Sequence, residues 1–97
     1  ALRGSIGFLS PTAEVTSPAT GITMQVETTL PGVQFYTGNA LEGAPTGKNG
    51  AVYGRRAGFC LETQFYPDNI HHPDWPQGIL RPGALWKHQT IYRFPAI

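Results

Sequence analysis

Apolar and polar positions alternate with a period of two along several short stretches of this chain. No stretch sustains the 3.6-residue period of a helix. The clearest stretch is residues 59–66. Phe59, Leu61, Thr63 and Phe65 fall on one side, and Cys60, Glu62, Gln64 and Tyr66 on the other. A strand so patterned turns its mostly apolar side toward a core. Over residues 22–30, Ile22, Met24, Val26 and Thr28 alternate with Thr23, Gln25, Glu27 and Thr29, and Pro31-Gly32 then stops the run. Residues 33–37 predict a shorter strand with Gln34 and Tyr36 on one face, closed by Gly38-Asn39. A last strand is predicted over residues 87–94, with His88, Thr90, Tyr92 and Phe94 on one face and Trp86 continuing their row. Weaker signals predict a strand end at residues 6–9, an edge strand at residues 13–16 and a strand end at Ile79-Leu80. Residues 40–56, studded with glycine, and residues 67–82, rich in proline, read as loops. The chain is therefore expected to be all-β.

Composition narrows this picture. A chain of 97 residues suits one small domain, which buries roughly 60–65% of its unfolded surface. Its 12 glycines and 9 prolines are spread along the chain and punctuate short strands. The net charge is +1 with 13% charged residues and no basic stripe. That argues against nucleic acid and against an anionic membrane surface as partners. No apolar run is long enough for a membrane-spanning helix, and no charged-then-apolar leader is visible. The chain opens on Ala1 rather than Met, as expected of one processed, trimmed or cut from something longer. Cys60 is the single cysteine. It excludes an internal disulfide, favours a reducing, cytoplasmic compartment, and is expected to be an inert, packed thiol.

Candidate chemistry lies on the polar strand faces. Glu62 and Gln64 share one face, and a carboxylate held on a rigid strand beside an amide is suited to general-base work. From spacing alone a solvated face explains the same pair, because polar-out alternation is the rule in antiparallel sheets. Gln34 and Tyr36 could together bind a hydroxyl-rich ligand, the amide by hydrogen bonds and the ring by packing on an apolar sugar face. A packed Tyr beside a solvated Gln is the plainer alternative. Glu27 reads as solvated. Gly47-Lys48-Asn49-Gly50 lacks the spacing of a phosphate-binding loop, and Arg55-Arg56 reads as a loop anchor. Asp68, His71, His72 and Asp74 crowd one loop without a zinc-ligand spacing, so no metal site is expected there. Trp75 is expected to pin that loop to the body.

Several motifs in order resemble the galactose mutarotase (aldose 1-epimerase) family. They are LPGVQFYTGN at residues 30–39, GKNGAVYGRRAGF at 47–59, LETQ at 61–64, FYPD at 65–68, HHPDWP at 71–76 and ILRPG at 79–83. The resemblance covers residues 22–94 and is similar to the C-terminal part of the family. It implies a portion of a large antiparallel β-sandwich, incomplete as a single 97-residue chain. It implies that Glu62 is the catalytic base and that Gln34 contacts the sugar. The activity implied is interconversion of the α and β anomers of an aldohexose, galactose or glucose being typical, with no cofactor and no metal.

The family's general acid is a His in a motif of the type His-x-Tyr/Phe-Trp/Phe-Asn-Leu, upstream of the base. No such motif occurs among these residues, and His71, His72 and His88 do not match it. Two readings follow. In the first, a second polypeptide carries the acid and the remainder of the fold, and this chain supplies the base. In the second, the chain is a non-catalytic β module that binds carbohydrate or protein. The first is favoured, because so few strands cannot close a large sandwich and would leave unpaired edges.

Overall fold

The computed structural model describes residues 6–97. Five strands form, β1 (Ser10–Thr16), β2 (Thr23–Thr28), β3 (Gly32–Tyr36), β4 (Cys60–Gln64) and β5 (Thr90–Arg93), with short 3-10 turns at Lys48–Gly50 and Asn69–His71. They make two antiparallel sheets, one of three strands in the order β1-β2-β5 and one of two strands, β3-β4. Among the described residues no helix is long and apolar enough to cross a membrane.

The β1–β2 hairpin follows from its turn chemistry. Gly21 adopts a positive φ of 74°, which a side chain would resist, and its N–H donates to the Ser17 carbonyl at 2.8 Å. Thr16 and Thr23 close the ladder with a hydroxyl–hydroxyl bond of 2.8 Å. β1 begins earlier than residues 13–16, at Ser10, because a register shift between Pro11 and Ala13 lets the ladder run past Pro11. Proline has no N–H to donate, and an edge strand tolerates such a bulge. No strand forms at residues 6–9, which are a turn and its exit, or at Ile79-Leu80, where no partner strand lies alongside. β5 is shorter than the alternation over 87–94 predicts. Its partner β2 ends at Thr28, and beyond it the Thr29 N–H donates to the Gln89 carbonyl at 3.0 Å while the Thr29 hydroxyl accepts the Gln89 N–H at 2.9 Å, a side-chain bond in place of the ladder's next backbone pair.

The paired registers fix the faces. Val15 opposes Met24, Ala13 opposes Val26, Val26 also opposes Tyr92, and Thr28 opposes Thr90. These residues form the inner face of the three-stranded sheet. Val26 and Thr28 are each 1% exposed and mark the centre of the core. On the outer face Gln25 donates to Glu14 at 2.8 Å. There Glu27, expected to be solvated, is half-buried and lies 3.7 Å from the Arg93 guanidinium.

The two sheets meet through hydroxyls as much as through apolar contact. Thr63 of β4 bonds Thr90 of β5 at 2.7 Å, and Thr90 bonds Thr28 of β2 at 3.1 Å. Phe65 packs edge-on to His88 with ring centres 5.4 Å apart. Around these contacts several large apolar side chains lie open. Phe35, Phe59, Tyr92 and Phe94 are all exposed. The accessible surface is 7362 Å², against roughly 5,400 Å² for a compact monomer of this mass. The radius of gyration is 16.6 Å, against roughly 13 Å for a compact domain of this length.

Candidate functional site

The β3–β4 ladder carries the candidate site. Pro31-Gly32 turns the chain out of β2, and Gly32 starts β3 under the ring of Tyr66. A Cβ on Gly32 would stand 3.0 Å from that ring, so glycine lets the two pack closely. Tyr66 also donates its hydroxyl to the Pro31 carbonyl at 3.1 Å. At the other end Gly38 takes a φ of 76°, and a Cβ there would meet the Gly58 carbonyl at 2.6 Å. These two close approaches bracket the ladder and set where β4 begins.

Within it, Gly32 pairs with Gln64, Val33 with Thr63, Gln34 with Glu62, Phe35 with Leu61 and Tyr36 with Cys60. Gln34 and Glu62 are thus directly opposite one another. Residues so paired project to the same face, with Cβ atoms about 4.5–5.5 Å apart. Gln34, Tyr36, Cys60, Glu62 and Gln64 form one face, and Val33, Phe35, Leu61 and Thr63 the other. Both Gln34 and Glu62 are exposed. The Gln34 amide makes a long 3.5 Å bond to the Phe35 carbonyl. The Glu62 carboxylate has no ion-pair partner among the described residues. A free carboxylate facing a free amide can accept a proton from, and hydrogen-bond to, neighbouring hydroxyls of one small polyol.

The neighbours of this pair are partly committed to the fold. The Tyr36 hydroxyl accepts the Ala40 N–H at 2.9 Å and so holds the turn after β3. Cys60, expected to be packed, is exposed. It stands at the start of β4 on the Glu62 side, away from the contact between the sheets. Arg56 behaves as the anchor expected of it, donating from Nε to Asn39 at 3.0 Å and from its backbone N–H to the Gly38 carbonyl at 2.9 Å. Two apolar clefts of about 330 and 380 Å³ lie around Phe59, and neither is lined by Gln34 or Glu62.

The loop after β4 is tied down at several points. Asp68 is bonded to His71, and His72 lies 3.4 Å from its second carboxylate oxygen. His72 stacks on Trp75 with ring centres 3.8 Å apart, and Trp75 meets Tyr66 edge-on at 5.7 Å. Trp75 therefore does pin the loop to the body, through Tyr66. Two amides that the sequence did not single out complete the loop. Asn69 donates to the Tyr66 carbonyl at 2.8 Å and accepts from the Gly78 N–H at 3.0 Å. Gln77 donates to the Asn69 and His72 carbonyls at 2.7 and 2.8 Å. Amides among prolines were the available signal, since a proline-rich loop leaves carbonyls short of backbone donors. Among the described residues no group of three or more His, Cys, Asp and Glu side chains is arranged to hold a metal ion.

The aldose 1-epimerase family profile matches residues 5–93 of this chain. The human (Homo sapiens) galactose mutarotase is 52% identical over 82 residues, which is 84% of this chain and 24% of that protein. The mouse (Mus musculus) galactose mutarotase is 51% identical over the same coverage. The aldose 1-epimerase of Escherichia coli (strain K12) is 41% identical over 86 residues, or 87% of this chain and 25% of that protein. The chain spans about a quarter of the length of the curated relatives it matches. With residues 5–93 of its 97 matched by the family profile, on an antiparallel all-β framework, this chain belongs to the aldose 1-epimerase family.

Proposed function

We propose that this chain supplies the general base and a sugar-binding amide of an aldose 1-epimerase acting on an aldohexose such as galactose or glucose. Glu62 takes the proton from the anomeric C1 hydroxyl. A general acid carried by the remainder of the fold protonates the ring oxygen, and the C1–O5 bond opens to the aldehyde. Rotation about C1–C2 and reclosure by the reverse transfers give the other anomer, so protons balance and no cofactor takes part. Gln34 hydrogen-bonds a hydroxyl of the same sugar. The observation that carries this reading is the direct pairing of Gln34 with Glu62 across β3 and β4, in a chain of this family. The exposed apolar residues around the inter-sheet cleft support the second half of the reading, in which another stretch of polypeptide covers them.

Polarimetry of fresh α-galactose or α-glucose tests it, with this chain assembled with the remainder of the fold. Glu62→Gln keeps the side chain's size but cannot take the proton. It is expected to lower kcat by at least about 100-fold with little change in sugar affinity. Near-normal turnover by that variant would exclude Glu62 as the base. Turnover by this chain alone would show that the acid does not lie elsewhere.

A further inference from the structure

Strand β5 grips β4 on both sides of Glu62. Tyr92 donates its hydroxyl to the Leu61 carbonyl at 2.9 Å. Thr63 shares its 2.7 Å hydroxyl bond with Thr90. Leu61 and Thr63 are the residues immediately before and after Glu62, and Thr90 and Tyr92 are also two apart on one face of β5. The two spacings match, so one strand holds the other at successive inner positions. The grip is anchored deeply. Thr90 bonds Thr28, whose hydroxyl also lies 3.2 Å from the Gln89 carbonyl, and Thr28 is 1% exposed on the central strand β2.

The two-stranded sheet needs such an anchor. An isolated pair of strands is marginally stable in water, and β3-β4 is such a pair among the described residues. A carboxylate acting as a base has to be held within about 0.5 Å of its working position by its support. Leu61 and Thr63 face away from the Glu62 side, so Thr90 and Tyr92 reach the site through the β4 backbone alone.

We propose that Thr90 and Tyr92 are positioning residues that fix the β4 backbone and thereby hold the Glu62 carboxylate at the C1 hydroxyl. This rests on Glu62 being the base. The role predicts a loss in the chemical step rather than in sugar binding, since Gln34 stands on β3 and is not gripped.

The test measures kcat and KM separately by polarimetry for Tyr92→Phe, Thr90→Val, Thr90→Ser and Glu62→Gln in the assembled enzyme. Tyr92→Phe and Thr90→Val are each expected to lower kcat by about 3- to 10-fold with KM within about twofold, since small misplacements of a reacting group cost rate steeply. Thr90→Ser keeps the hydroxyl and is expected to stay within about twofold of the parent in kcat. Tyr92 is exposed, so its phenylalanine variant keeps the test open if Thr90→Val does not fold. Unchanged kcat in Tyr92→Phe, or a Thr90→Ser enzyme as slow as Thr90→Val, would overturn the proposal while a slow Glu62→Gln leaves the base in place. Normal turnover by Glu62→Gln would overturn the base assignment and this proposal with it.

Discussion

Replacing Gln34 by alanine separates binding from chemistry at the candidate site. The side chain is exposed, and its one bond among the described residues is at the long limit of 3.5 Å. Truncation therefore removes almost nothing from the fold, and the stability change is expected to stay within about 0.5 kcal/mol. On the proposed role of Gln34 it removes a neutral hydrogen bond to the sugar, a contribution of about 0.5–1.5 kcal/mol. At 1.4 kcal/mol per tenfold, affinity is expected to weaken by about 2- to 12-fold. Glu62 stays in place on the partner strand, so kcat is expected to fall by less than the affinity does. Two measurements read the two quantities independently. Polarimetry of the assembled enzyme gives kcat and KM for Gln34→Ala. Equilibrium titration with galactose in a Glu62→Gln background, where turnover is slow, gives affinity directly. Unchanged affinity, or a kcat loss larger than the affinity loss, would refute the assignment of Gln34 as a sugar contact.

Gly38→Ala combines a left-handed backbone with a clash against the Gly58 carbonyl at 2.6 Å, whereas Gly43, at a φ of 82°, has open space around its Cα. Thermal unfolding is expected to show Gly38→Ala costing more than the roughly 1–2 kcal/mol of dihedral strain that both variants share; equal losses would show that the close approach carries no weight. The Asp68, His71 and His72 cluster is expected to hold no structural metal. A chelator is expected to leave the melting temperature of the assembled protein unchanged, and a drop of several degrees restored by zinc would contradict that.

The period of two was enough to sort side chains by face. Phe59, Leu61, Thr63 and Phe65 against Cys60, Glu62 and Gln64 is a division forced by the pleat, whatever the strand pairs with. Pro31-Gly32 and Gly38-Asn39 likewise marked the ends of β3 through backbone chemistry alone. Those local rules say which side a residue occupies and nothing about its neighbour across the ladder. Setting Gln34 opposite Glu62 required a register, and two long-range contacts fix it, Tyr66 over Gly32 and Gly38 against Gly58. Cys60 is exposed rather than packed for a related reason. Apolar neighbours in sequence project to the opposite face of a strand, so Phe59 and Leu61 do not cover it. The shortened β5 shows the same limit, because a strand extends only as far as a partner runs beside it. Thr90 and Tyr92 carry no local signal of their grip on β4. Their hydroxyls find Thr63 and the Leu61 carbonyl only once β4 and β5, far apart along the chain and in different sheets, have come together.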